Sequence, residues 1–374
     1  MTVPRIIASW FLVAAGSGGW LAGAEPVQYE FGDIRIPAAT GEEPLRETVS
    51  LEQAAAYLEQ GSAAWNGQRK CVSCHTNGTY MAIRPALVPT LGEPPAATVE
   101  FFGETLTTLQ QEAHENLKKS TRPAQVIYLA NGLAEWDAHL TKSLSPSTEA
   151  ALELMFAIQN ENGTWGTLTC WPPLESDAYH EATVAAMAAA TAPGWLDKVA
   201  ASNNAQLKEA IERLRNYLRT ETPPHDYSRV LLLWAESRWP GLIDEARKAE
   251  LIAMLRQQQR EDGGWSIRTF ATPETWGSGN RAKKLRDEPD FDKPASDGHM
   301  TGLAIIALRS SDVPANDPTI ASGVKWLKAN QRESGRWWTR SLNTDTWHFI
   351  TYSGTAYPLL ALQMCDELPA VAKK

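Results

Sequence analysis

The sequence predicts an all-α fold in which six helical hairpins close into a double ring, and three observations predict it. The segments "QNENGTW" from Gln159, "QREDGGW" from Gln259 and "QRESGRW" from Gln331 share a Gln-x-x-x-Gly-x-Trp pattern. Each ends an amphipathic helix and is followed, after a loop, by a more apolar one. The two helices of a pair differ in kind: the first is charged on one face, as in "AQLKEAIERLRNYLR", and the second is apolar or small nearly all round, as in "EATVAAMAAATA" and "TGLAIIALRS". A helix apolar all round is buried. Buried helices inside amphipathic ones describe a closed double ring better than an open solenoid, whose inner row would face solvent.

The elements follow in chain order. Arg5, the apolar run Ile6 to Ala15 and the small residues up to Ala22-Gly23-Ala24 read as a secretory signal over residues 1–24, with an A-x-A cleavage site. The run is too short for a membrane span, so the expectation is an exported protein, periplasmic or extracellular, with no membrane span. Losing Arg5 moves the formal net charge from −9 to −10, which leaves no basic footprint for a nucleic acid. Residues 25–49 read as a polar arm containing Pro and Gly, 50–365 as one ring domain and 366–374 as a C-terminal tail. A length of about 350 residues exceeds the usual size of a single core, and a repeat architecture accounts for it.

Within the ring, "SLEQAAAYLEQGSAAW" pairs with "TYMAIRPALVPTLG", and "TVEFFGETLTTLQQEAHENLKK" pairs with "PAQVIYLANGLAEWDAHL". The motif spacings of 100 and 72 residues leave room for an unmarked pair between the first two motifs, supplied by "AQLKEAIERLRNYLR" and "PPHDYSRVLLLWAES". In each motif the Gly suits a left-handed C-terminal cap, and the Trp is expected to fold back onto its own helix pair. The stretch from Ser266 to Ala295, which carries Trp276, reads either as a solvated surface loop or, being long enough, as a lid over one end of the ring.

These repeats resemble those of the squalene-hopene cyclase and protein prenyltransferase superfamily, over roughly residues 50–365. The resemblance implies an α/α toroid, with long isoprenoid substrates as the ligand class of its central cavity. The superfamily's catalytic patterns do not carry over intact. There is no Asp-x-Asp-Asp cluster, the string at 343–347 having Asp345 alone, and "SDGHMT" and "DTWHF" lack the cysteine that prenyltransferases place beside their zinc-binding aspartate.

The stretch "NGQRKCVSCHTNGTYM" at 66–81 adds a Cys-x-x-Cys-His that the superfamily does not explain. Such a motif lets two thiols form thioethers with the vinyl groups of haem c while the imidazole binds iron, which assigns Cys71, Cys74 and His75 to a covalent haem. A Cys71–Cys74 disulfide and a zinc site are the alternatives. A redox disulfide normally accompanies a βαβ pattern, absent here, and zinc would need thiolates kept reduced outside the cytoplasm and a fourth ligand. Met81 reads as packing.

If every inner helix starts at one mouth of the ring, His75, His180, His225, His299 and His348 gather there, five of the seven histidines. They are candidate metal ligands, and the last four are candidates for the far side of the haem iron. Asp177, Asp297 and Asp345 stand close to histidines and are candidate acid-base groups, although an aspartate before a helix is also an ordinary N-cap. Cys170 and Cys365 read as two buried thiols. Three functions follow: a haem protein with a redox or electron-transfer role toward a ligand or a periplasmic redox partner; a cyclase-like or transferase-like enzyme on an isoprenoid; or a non-catalytic binding toroid.

Overall fold

The computed structural model describes residues 26–166 and 172–371. The expected signal segment and Cys170 lie outside the described residues.

Among the described residues, twelve helices build the ring, numbered here in chain order: α1 (Leu51–Arg69), α2 (Asn77–Ile83), α3 (Ala96–Gln110), α4 (Arg122–Trp136), α5 (Pro146–Ala157), α6 (Ala178–Thr191), α7 (Ala205–Thr220), α8 (Asp226–Arg238), α9 (Glu245–Gln257), α10 (Gly298–Ser310), α11 (Pro318–Ala329) and α12 (Ile350–Met364). Odd-numbered helices are outer and even-numbered helices are inner. The inner helices pack in the order α2, α4, α6, α8, α10, α12 and back to α2, so the ring is closed. Burial follows the hydrophobic pattern. The outer α7 buries Leu207, Ala210, Ile211, Leu214 and Leu218 on one stripe, whereas α10 is buried from Gly298 to Leu308. None of the described helices is long and apolar enough to cross a membrane.

The Gln-x-x-x-Gly-x-Trp motif is the clasp between repeats. The indole N–H of Trp165, Trp265 and Trp337 donates to the carbonyl ten residues earlier, Met155, Leu255 and Leu327, at 2.5, 2.8 and 2.7 Å. Each indole thereby satisfies a carbonyl that the end of an outer helix would leave unpaired. The three glycines do have positive φ, at 89°, 90° and 84°. They are not helix caps, however: the caps are Ile158, Gln258 and Asn330. Each glycine sits farther on, in a turn pressed against the next outer helix, where a Cβ would meet Arg213 O at 2.6 Å, Ser322 O at 2.8 Å or Ala54 N at 2.6 Å.

The last clasp closes the circle. Gln331 Nε2 donates to Gly335 O (2.9 Å) and to Ser50 O (3.0 Å), and the Ser50 amide donates back to Gln331 Oε1 (2.6 Å), which ties the third motif to the N-cap of α1.

The arm differs from the sequence expectation. Residues Val27–Phe31 (β1) and Ile34–Pro37 (β2) form an antiparallel hairpin that packs on α1. Tyr29 is its anchor, buried among Tyr57, Phe349 and Tyr352 with ring centroids 5.7–6.3 Å apart. Alternating Val, Tyr and Ile side chains around Gly32 give a strand period that the polar composition hides. The Ser266–Ala295 stretch is also packed: Phe270, Trp276 and Leu285 are buried, and Arg268 binds Glu288 through two nitrogens. Cys365 is buried, as expected.

Gly335→Ala should destabilise the chain by about 2–4 kcal/mol, through a strained left-handed backbone and the overlap with α1. Chemical denaturation of the variant checks this, with Gly103→Ala as the control, because a Cβ there meets nothing within 4 Å.

Candidate functional site

Bonds between consecutive inner helices join their N-terminal ends at one mouth. Tyr128 of α4 bonds His180 of α6, Asp177 before α6 meets His225 before α8, and His299 of α10 bonds both Tyr227 of α8 and Ser353 of α12. The Cys-x-x-Cys-His lies at the same mouth, just before α2.

The chain leaves α1 through Lys70, left-handed at φ 52°, and residues 71–76 form a turn. Cys71 and Cys74 therefore lie in a turn and not in a helix. Side-chain bonds hold the turn instead. Cys71 O accepts from Trp65 Nε1 (3.1 Å) and Asn77 Nδ2 (2.9 Å), Asn77 Oδ1 accepts the Ser73 amide (2.7 Å), and Cys74 O accepts from Thr79 Oγ1 (2.6 Å). Cys71 is half-buried and Cys74 buried, both as thiols. Burial pushes the Cys71 thiol up, against the lowering effect of Trp65 and Arg69.

His75 stacks on Phe349 (4.8 Å between centroids) and stands edge-on to Trp65 (4.6 Å). Burial, helped by the Arg69 charge, lowers its pKa to about 4, so the imidazole is neutral at pH 7. Its Nδ1 is engaged with Thr76 Oγ1 at 2.8 Å, and Thr76 in turn bonds Tyr29. Nε2 is the nitrogen that remains for a metal.

Cys71, Cys74 and His75 all line one crevice of about 590 Å³. Trp65, Val72, Leu174, Trp347, Phe349 and Ile350 give it apolar walls, and Glu30, Arg69 and Glu175 line it as charged groups. This is the size and character of a cofactor site. The donor set of a zinc site is not assembled: among the described residues no group of three or more His, Cys, Asp and Glu side chains is placed to hold a metal ion.

The other predicted residues divide. Asp177 is the N-cap of α6, accepting the His180 amide at 2.8 Å, and also pairs with His225 Nε2 at 3.3 Å. Burial pushes its carboxyl up, but the His225 bond and charge outweigh this and hold it below the usual range. Asp297 caps α10 through Met300 N (2.9 Å) and ties down Ile267 N (2.7 Å). Burial raises it to about 6 despite those bonds. Asp345 is exposed and paired with Lys284 at 3.1 Å. The three aspartates thus do not converge on one reacting position, and the N-cap explains Asp297 in full.

The histidines correct the expectation of a ligand set. His180 and His299 bond the hydroxyls of Tyr128 (2.8 Å) and Tyr227 (3.0 Å). His225 takes the Ser228 amide, and His348 takes the Ser341 amide at 3.0 Å. His225, Nδ1 of which also faces Ser228 Oγ, looks like a Ser-His-Asp relay with Asp177, but Ser228 is fully buried and serves the helix cap. None of His180, His225, His299 and His348 lines the crevice. His180, His225 and His299 gather around Tyr227, and Trp276 closes over them at 4.8 Å from His225 and 5.5 Å from Tyr227. The Ser266–Ala295 stretch therefore covers part of the mouth.

Sequence reasoning missed two acids, Glu175 and Glu181, because "LESDAYHEAT" reads as an N-cap with helix-favouring neighbours. Both are buried, at 6% and 1% exposure. Glu175 has φ 53° and bonds the Cys74 sulfur, and burial raises its pKa. Burial, then the charges of Glu175 and Asp177, raise Glu181 to about 8, and among the described residues neither of its carboxylate oxygens has a hydrogen-bond partner.

The ring axis itself is nearly full. Thr79, Tyr128, His180, Leu231, Trp234 and Tyr357 surround a void of about 30 Å³, room for one water.

No family model matches the chain, and no curated protein matches it. Among solved structures it is similar to ent-copalyl diphosphate synthase from Streptomyces platensis, at 14% identity and a TM-score of 0.47, over 78% of this chain and 50% of that one. It is also similar to a variant of the type II terpene cyclase MstE from Scytonema, in complex with geranylgeranyl dihydroxybenzoate, at 12% identity and a TM-score of 0.46, over 84% of this chain and 96% of that one. The chain spans half the length of the first of these. With its closed inner and outer rings, the chain is an all-α toroid.

A carboxyl raised from 4.5 unfolded to about 8 folded keeps its proton in the folded state, so the stability it confers is lost as pH rises across that window. Glu181→Gln removes the effect. Between pH 5 and 8 its unfolding free energy should improve relative to the unmodified chain by up to about 1.4 kcal/mol per pH unit, which urea melts across that range check.

Proposed function

We propose that the chain is an exported haem c protein with a redox or electron-transfer role, carrying one haem joined to Cys71 and Cys74 in the crevice at the mouth of the toroid. The observation that carries this reading is that the three side chains of the motif line a single apolar-walled crevice of about 590 Å³. His75 would bind the iron through Nε2. Bound haem supplies one-electron exchange. The chain's own residues do the rest: Thr76 fixes the tautomer and direction of the imidazole, Phe349 and Trp65 hold its ring plane, and Arg69 supplies a cation at the wall for the porphyrin carboxylates.

The apolar walls of the crevice favour a second reading, an isoprenoid ligand bound there. The axial void of about 30 Å³ is too small for such a chain, so the ligand would lie at the mouth and not along the ring axis. Residues 1–24 support export in either case.

The test is expression with a cytochrome c assembly system. A porphyrin should stay with the peptide through acid-acetone extraction, Cys71→Ser and Cys74→Ser should each leave one thioether, and His75→Ala should alter the iron spectrum. A colourless protein with Cys71 and Cys74 joined in a disulfide overturns the haem reading, and apolar ligand in an organic extract supports the second. Because His180, His225, His299 and His348 are committed elsewhere, replacing any one with Ala should leave the spectrum of the haem protein unchanged.

A further inference from the structure

Cys71 and Cys74 are held in unlike ways. The backbone of both is pinned, but Cys71 is half-buried at the edge of the crevice whereas Cys74 is buried, 3% exposed. The Cys74 sulfur is met by Glu175, which also lines the crevice. Glu175 combines two features that stability alone disfavours. It is a carboxyl at 6% exposure with no basic side chain paired to it among the described residues, and a non-glycine residue in the left-handed region at φ 53°. Such strain gathers at functional sites. Its neighbour Leu174 is buried, and that packing gives the unfavourable backbone its support.

We propose that Glu175 is the positioning residue for the second thioether: its carboxylate oxygen aims the Cys74 sulfur into the crevice, so that Cys74 is joined to the porphyrin as completely as the more accessible Cys71. This rests on the haem reading above. In the step concerned the Cys74 S–H adds across a vinyl C=C, with a new S–C bond at one carbon and the thiol hydrogen delivered to the other, so atoms balance and nothing is oxidised or reduced. Glu175 does not enter the bond. It sets the direction of the sulfur.

The experiment matures the unmodified chain, Glu175→Gln and Glu175→Ala with the same assembly system, blocks remaining thiols with iodoacetamide, and compares two-thioether with one-thioether haem peptides by mass spectrometry. Glu175→Ala should raise the share of haem joined through Cys71 alone, with Cys74 alkylated, several-fold. Glu175→Gln, whose amide oxygen accepts the same bond, should restore the two-thioether product. A purely structural role would lower total haem and thermal midpoint without changing the ratio, and Glu175→Asp provides the shortened side chain if the alanine variant fails to fold. An unchanged ratio in haem-loaded Glu175→Ala or Glu175→Asp overturns the inference alone, whereas an unmodified chain without haem overturns the haem reading itself.

Discussion

Closure of the ring is the constraint on which the rest of the structure depends. An inner helix such as α10 has no polar face to offer solvent, so an open array would leave it exposed. The three Gln-x-x-x-Gly-x-Trp clasps reduce that exposure by fixing α5 to α7, α9 to α11 and α11 to α1. The three parts of a clasp act on different groups: the indole takes a late carbonyl of its own helix, Gln259 and Gln331 also take the start of the following helix, and the glycine lets the two approach. Gln331 completes the circle because its following helix is the first one, α1. Hairpins that alternate in this way must deliver every inner helix to the same mouth, and the concentration of histidines, acids and the Cys-x-x-Cys-His there is a consequence of connectivity.

Burial then governs the chemistry of that mouth. It drives the imidazoles of His75, His180 and His299 down to about 4, 4 and 3, and Glu181 up to about 8, so most of these groups are neutral at pH 7. Asp177, held ionised by His225, and Asp297, raised only to about 6, are exceptions. The phenols of Tyr128 and Tyr227, raised well above their ordinary value by the same burial, can serve the histidines as neutral hydrogen-bond partners. A mouth of this kind is packed and polar without being highly charged. That composition explains why its histidines bond tyrosines and backbone amides and do not form a ligand cluster.

The fold was legible because its signals are local. The helix period, the all-apolar inner segments and the three motifs each survive within a short window, and the unmarked pair α7 and α8 was found from the gap it had to fill. The β-hairpin was not legible, since the identity of Tyr29 as an anchor depends on Tyr352, more than three hundred residues away. The site was legible only where the motif is contiguous. Asp297 reads from sequence as an acid beside a histidine, yet its oxygens go to Met300 and Ile267 amides; Glu175 reads as a helix-flanking charge, yet folds against Cys74. Direction of a side chain is a tertiary property, and residue type with spacing does not encode it.

The full axis bears on where chemistry can occur. Where the inner helices meet through Tyr128, Trp234 and Tyr357 a void of about 30 Å³ remains, against a crevice of about 590 Å³ at the rim. A rim site is bounded by loops and is less enclosed than a chamber, with Trp347 on its wall 48% exposed to solvent. A flat apolar cofactor held there by contacts alone would keep one edge in water and could leave. The two thioether bonds of the proposed haem would replace the missing enclosure, because a tethered group is held at a high effective concentration whatever its contacts. In the haem reading, covalent attachment therefore compensates for a site at the open rim of the closed ring.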